Sequence, residues 1–211
     1  MKRKWLAALG AAALIAAGCA TFPDPAETRG RAEKMVSDSF SAPSPQLLRR
    51  LEQDRSQSIC SKVADARPTQ EEAAEVVRLA RESMKYPASG KLAGNWKVGA
   101  QLAHDGAGDR IQFGRLESRK ENGGLCQNCH ALAPDEVNVG NVGPSLTGYG
   151  NKLGASEAIA RVTYERIYNG WAYAPCSNMP RLGATGHLTP DQIAHLVAFL
   201  LDPQSPINRK P

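Results

Sequence analysis

The sequence predicts an all-α protein, on three observations. Two helix starts take the form of capping boxes, Thr69-x-x-Glu72 and Thr189-Pro190-Asp191-Gln192, where the cap side chain and the third residue satisfy each other's backbone N–H groups. Apolar residues at Ile193, Leu196, Val197, Leu200 and Leu201 recur at i, i+3, i+4, i+7 and i+8, which is one face of a helix. No stretch alternates polar and apolar residues as a half-buried strand does.

Taken in order, the chain opens with Lys2, Arg3 and Lys4 ahead of the apolar run Trp5 to Ala17. That run is too short to span a bilayer and reads as an export signal over residues 1–19, placing the mature protein in the periplasm. Ala16-Ala17-Gly18-Cys19 is similar to a lipobox, with Ala16 where a larger aliphatic residue is commoner. Two outcomes stay open: lipidation of Cys19, or ordinary cleavage near Ala20.

Residues 20–90 read as a helical extension. Ala26 to Phe40 carries a thin apolar stripe at Ala32, Met35 and Val36. Ser44 and Pro45 cap a second helix, whose apolar side is Leu47, Leu48, Leu51 and Ile59 and which bears Cys60 near its end. Thr69 opens a third with Ala73, Val76, Val77, Ala80 and Met84, closed by Pro87 and Gly90. These helices are polar enough to be an extension packed on a larger body, or a surface kept for a partner.

Residues 91–203 read as the main domain. Asn95 to Ala107 carries few signals. Asp109 to Leu116 is expected as a short helix, followed by a sharp turn at Gly123 and Gly124. Pro134 to Asn151 is loop, rich in Gly, Asn and Pro; Ser156 to Asn169 is helix, ended by Gly170; Trp171 to Gly186 is loop again. The Thr189 helix ends at Pro203, and residues 204–211 are expected as a loose tail.

The whole chain is 211 residues, enough for one domain with an extension, and its 42% hydrophobic and 22% charged content is that of a globular protein. Three of the cations behind the formal net charge of +5 belong to the signal, so the basicity is no argument for nucleic acid.

Between the glycines and the first loop stands Cys126-Gln127-Asn128-Cys129-His130. Two thiols two residues apart with a histidine directly after them form the attachment pattern of covalent haem c. Each thiol adds to one vinyl group, and the histidine becomes the proximal iron ligand. A redox dithiol or half a zinc site also uses CxxC, but no second CxxC and no βαβ pattern accompanies this one. Gly and Pro in the following loop suit backbone lying against a flat cofactor, and the Pro144 carbonyl is available to accept the His130 ring proton.

The sixth iron position selects the chemistry, since a thioether favours the ferrous state and electron transfer, whereas an open position favours ligand binding. Met179 is the expected ligand, because it lies in an irregular loop between Asn178 and Pro180 ahead of the last helix. Met35 and Met84 fall on apolar helix stripes and read as core. His104, His187 and His195 are alternatives, with His195 off the apolar stripe and expected in solvent. Of five cysteines, Cys60 and Cys176 are left over, and in an oxidising compartment they are expected to pair. Two separate thiols, or a reactive Cys176, are the alternatives.

Cys126-x-x-Cys129-His130, Gly143-Pro144-Ser145-Leu146, Met179-Pro180 and the closing Leu-Thr-Pro-Asp-Gln-Ile helix together resemble the class I cytochromes c. More narrowly, Gly124 to Leu132, Gly140 to Leu146 and Asn178 to Leu182 resemble the SoxX family, the monohaem subunits of SoxAX complexes, over about residues 100–203. The resemblance implies a class I cytochrome c fold. It also implies a heterodimer with a SoxA-like cytochrome, as the electron-transfer subunit of an L-cysteine S-thiosulfotransferase. That complex couples thiosulfate, or a similar reduced sulfur compound, to a cysteine of a SoxYZ-like carrier and passes electrons to an external cytochrome c. The sulfur chemistry would sit on the partner; here Cys126 and Cys129 would hold haem c, and His130 and Met179 would ligate iron. Cys176 departs from what an electron relay needs. A free-standing electron shuttle is the alternative function.

Overall fold

The structure, a computed structural model, describes residues 24–39, 49, 52–62, 67–106, 108, 110–112, 115–117, 122–137 and 140–209. The export signal with Cys19 lies outside these residues, as do Phe40, Ser44, Pro45, Leu47, Leu48 and Leu51. The chain divides into two compact units, one holding α1 (Pro25–Asp38) and the other every later helix. In α1 the Asp24 carboxylate caps the Ala26 N–H, with Pro25 in the first turn. No residue of α1 is buried, and Met35 is 70% exposed, so Met35 is not the core residue its helical stripe suggested.

In the larger unit, α2 (Arg55–Ser61) carries Cys60, while the start expected at Ser44 and Pro45 lies outside the described residues. Asp54 accepts from the Gln57 N–H while the Gln57 side chain accepts from the Asp54 N–H, and this box fixes the start at Arg55. The box expected at Thr69 and Glu72 opens α3 (Gln70–Glu82). Ile59 of α2 and Val76 and Ala80 of α3 are buried against Trp171 and Ala172, so these two helices pack on the body of the protein. Each such aliphatic side chain contributes about 1.5–3 kcal/mol relative to exposure.

The stretch with few signals, Asn95 to Ala107, is helix α4 (Trp96–His104), capped by the Asn95 side chain on Lys97 N. It crosses the last helix, α7 (Pro190–Leu201), at backbone contact: a Cβ at Gly99 would stand 2.0 Å from the His195 carbonyl oxygen. The glycine that lowers helix propensity at this position is what the crossing requires. His195 is not solvated as its place off the stripe suggested. Its Nδ1 accepts from the Asn95 N–H at 2.8 Å, joining α7 to the start of α4.

Ser156 caps α6 (Glu157–Asn169), and Thr189 with Gln192 boxes α7, as their sequences indicate. Pattern alone gave α7 one apolar face, yet Ile193, Ala194 and every residue from Leu196 to Leu201 are buried. This helix is the axis of the core, with Leu102 of α4, Tyr164 and Tyr168 of α6, and Leu132 around it.

Where a helix was expected over Asp109 to Leu116, β1 (Arg110–Gln112) and β2 (Arg115–Glu117) pair in a two-stranded sheet. Ile111 and Phe113 are spaced by two, and Gly114 is a poor helix interior residue. The class remains all-α. Within the expected loop 134–151, Tyr149–Leu153 forms the short helix α5 behind Gly148 at φ 69°. The tail is not loose over Ser205 to Asn208. Ser205, Ile207 and Asn208 are buried, and the Asn208 side chain accepts from Gly150 N at 2.8 Å and donates to the Leu200 and Asp202 carbonyls at 3.0 and 2.9 Å. No helix among the described residues is long and apolar enough to cross a membrane.

Candidate functional site

The Cys126 to His130 segment is built from two sides. From α4, the Leu102 and Asp105 carbonyls accept the Gly124 and Leu125 N–H groups at 2.7 and 3.1 Å. A Cβ at Gly123 would lie 1.9 Å from the Asp105 carbonyl oxygen, so that glycine serves close approach. The turn expected at Gly123 and Gly124 falls instead on Leu125, at φ 43°, and a 3-10 turn over Cys126–Asn128 follows.

The Gly- and Pro-rich loop forms the other side. Gly140, Gly143 and Leu146 donate their N–H groups to the Gln127, Cys129 and Ala131 carbonyls, each at 2.8 Å. The loop thereby runs alongside the motif and brings Pro144 to His130, whose Nδ1 lies 2.7 Å from the Pro144 carbonyl oxygen. Nδ1 carries the proton in this pair, and Nε2 is left with its lone pair. Cys126 and Cys129 are unpaired thiols, and burial pushes the Cys126 thiol up to about 11.

Met179 lines a cleft of about 1220 Å³ together with Gly124 and Leu125, the two residues that lead into Cys126. Asp105, Gly108, Trp171, Arg181 and His187 also line it, as do Asp54 and Gln57 of the extension. Each of the three histidines that were alternative ligands holds a hydrogen bond, and His187 also lines this cleft. His104 lies 2.6 Å from both the Ala100 carbonyl and Glu136 Oε1; His187 Nε2 lies 2.9 Å from the Gly123 carbonyl; and His195 holds Asn95. Burial disfavours the His104 cation, but its hydrogen bonds to Ala100 and Glu136 outweigh that and hold its pKa above the ordinary histidine value. Met84 is partly buried against the core, as expected.

Cys60 and Cys176 form a disulfide, with Cα atoms 5.2 Å apart. Residues missed in the sequence surround the Met179 loop. The Arg181 guanidinium lies 4.4 Å over the Trp171 ring and 2.8 Å from Asp54 Oδ2, and the Trp171 Nε1–H donates to the Ser177 carbonyl at 2.8 Å. The one available signal was the place of Arg181, two residues after Met179.

A large cleft lined by the residues that lead into Cys126, two unpaired thiols and a histidine with one nitrogen tied back fit a covalently attached haem. Among the described residues no cluster of three His, Cys, Asp or Glu side chains forms a cage for a bare metal ion.

A family model described as Cytochrome c matches residues 123–203. Cys126 and Cys129 within that span are consistent with covalent haem c. A protein of Aquifex aeolicus (strain VF5), named as an uncharacterized lipoprotein, is 41% identical over 157 residues, covering 74% of this chain and 73% of its own length.

Proposed function

We propose that the chain, whose residues 123–203 match the cytochrome c family, is an extracytoplasmic electron-transfer protein carrying one haem c. The observation that carries the reading is the His130–Pro144 hydrogen bond, which frees Nε2 as an axial donor next to two unpaired thiols. Bound haem supplies one-electron chemistry between ferrous and ferric iron. Cys126 and Cys129 would tether it, Pro144 fixes the tautomer and orientation of His130, and Met179, on the cleft wall, would supply a thioether donor to iron, which would favour the ferrous state. The test is the optical spectrum of the purified ferric protein. The weak far-red band of thioether ligation, lost in Met179→Ala, is the expected result; a spectrum indifferent to that substitution removes Met179 as a ligand.

Cys19 is proposed as a lipidated first residue. The lipobox-like Ala16-Ala17-Gly18-Cys19 and the lipoprotein name of the Aquifex aeolicus relative support this over ordinary cleavage. Lipidated protein partitions into detergent, and Cys19→Ala shifts it to the aqueous phase; equal partitioning of the two removes the anchor.

A finer reading is that the chain is the electron-accepting subunit of a SoxAX-type thiosulfate-oxidising complex. The resemblance of the Gly140 to Leu146 and Asn178 to Leu182 loops supports it. So does the extension, since α2 and α3 cover surface that a free shuttle would leave open. Purification from detergent-solubilised cell envelope through a C-terminal tag, with haem staining, tests it. A co-eluting second c-type polypeptide, with thiosulfate-dependent reduction that requires the carrier protein, supports the subunit; a lone haem protein leaves the electron shuttle.

A further inference from the structure

The seven-residue helix α2 holds the Met179 loop at two points. Asp54, its N-cap, pairs with Arg181 at 2.8 Å, and Cys60, near its C-terminus, is bonded to Cys176. Met179 lies between those two anchors. The loop is gripped again from within: the Trp171 indole donates to the Ser177 carbonyl and carries the Arg181 guanidinium on its face at 4.4 Å. Residues 177 and 181, two positions before and two after Met179, are thus both fastened to one ring. The Arg181 side chain is only 10% exposed, although the loop carrying it belongs to no helix or strand.

We propose that Asp54, Arg181 and Trp171 form a clamp that positions Met179, so that the N-terminal extension governs the sixth coordination site. This rests on the reading of Met179 as an axial donor. A donor on a free loop spends part of its binding free energy ordering that loop. A loop already fastened at residues 176, 177 and 181 has lost that freedom beforehand, so the thioether competes better with any other ligand. Arginine suits the role because its planar cation stacks on the indole while its N–H groups reach the carboxylate.

Imidazole binding to the ferric haem protein reports the competition directly, because imidazole must displace the thioether. Asp54→Asn is the cleanest probe: asparagine caps a helix as well as aspartate, so α2 keeps its start while the ion pair is lost. Asp54→Asn and Arg181→Gln are each expected to bind imidazole about tenfold more tightly than the native protein, or about 1.4 kcal/mol. Arg181→Lys, which keeps the charge but not the stacked fork, falls between. The double variant shows less than the sum of the single effects, because both substitutions break one contact. The reduction potential falls in the same order. Imidazole affinity within twofold of native in both single variants overturns the clamp, and if Arg181→Gln does not fold, Asp54→Asn decides alone. Met179→Ala separates the two readings. If it tightens imidazole binding while Asp54→Asn does not, the ligand stands and the clamp fails; if it changes neither imidazole binding nor the far-red band, both fail.

Discussion

Gly143 makes room for His130: a Cβ at residue 143 would stand 2.3 Å from the imidazole Cε1. The same loop presents Pro144 to Nδ1, so crowding at one residue disturbs the orientation set by the next. Gly143→Ala is expected to destabilise the protein by about 1–3 kcal/mol, the usual cost of overpacking, and to lower the yield of haem-stained protein. Urea denaturation and haem staining check it, and normal loading with an unchanged midpoint would mean that the loop yields without moving the ring.

The Cys60–Cys176 bridge spans 116 residues of sequence. Closing so long a loop restricts the unfolded chain, and removing the bridge is expected to cost about 2–5 kcal/mol. Equilibrium urea unfolding of a Cys60→Ser, Cys176→Ser double variant measures the loss. Coincident curves for the two proteins would contradict it.

His104 sits between the Ala100 carbonyl, the Glu136 carboxylate and the Phe199 ring, whose centroid is 6.0 Å from its own. Its folded pKa is raised, so the pair's contribution to stability is fully present below the unfolded value of about 6.5 and is lost as pH rises through the folded value. His104→Gln should therefore cost more at about pH 5.5 than at about pH 8.5. Urea midpoints of the two proteins at both pH values give the comparison; an equal difference at each pH excludes the linkage.

Asn208 ties the chain end to α5 and α7 through Gly150, Leu200 and Asp202. Asn208→Ala leaves these backbone groups without that partner, at a cost of about 1–3 kcal/mol. Faster amide exchange at Gly150, together with a lower melting temperature, is the expected outcome. Unchanged exchange would show the tail to be dispensable.

Local signals recovered the elements whose determinants are local. Thr69, Ser156 and Thr189 mark helix starts because a cap needs only its own first turn. Cys126, Cys129 and His130 are legible because their spacing is itself the chemistry. What stayed hidden depends on a distant partner. Helix α4 reads poorly because Gly99 answers to His195, nearly a hundred residues away in the chain. Arg181 looks like an ordinary surface cation until Asp54 and Trp171 are placed against it. The tail looks loose because Asn208, polar and near a terminus, gains its partners only from α5 and α7.

The placement of the four cysteines of the folded domain also constrains how the protein matures. In chain order they are Cys60, Cys126, Cys129 and Cys176, and the native bridge joins the first to the last. Joining thiols in chain order would instead consume Cys126 or Cys129, the pair that the proposed haem c needs as thiols. Once folded, the bridge lies with Ile59, Val76 and Trp171, whereas Cys126 packs against the α7 core, so native packing keeps Cys126 apart from the bridge. Until that packing forms, the outcome is a contest of rates among thiol oxidation, thiol exchange and haem delivery. If haem c is attached as proposed, the native pairing is selected by packing and not by nearness in sequence.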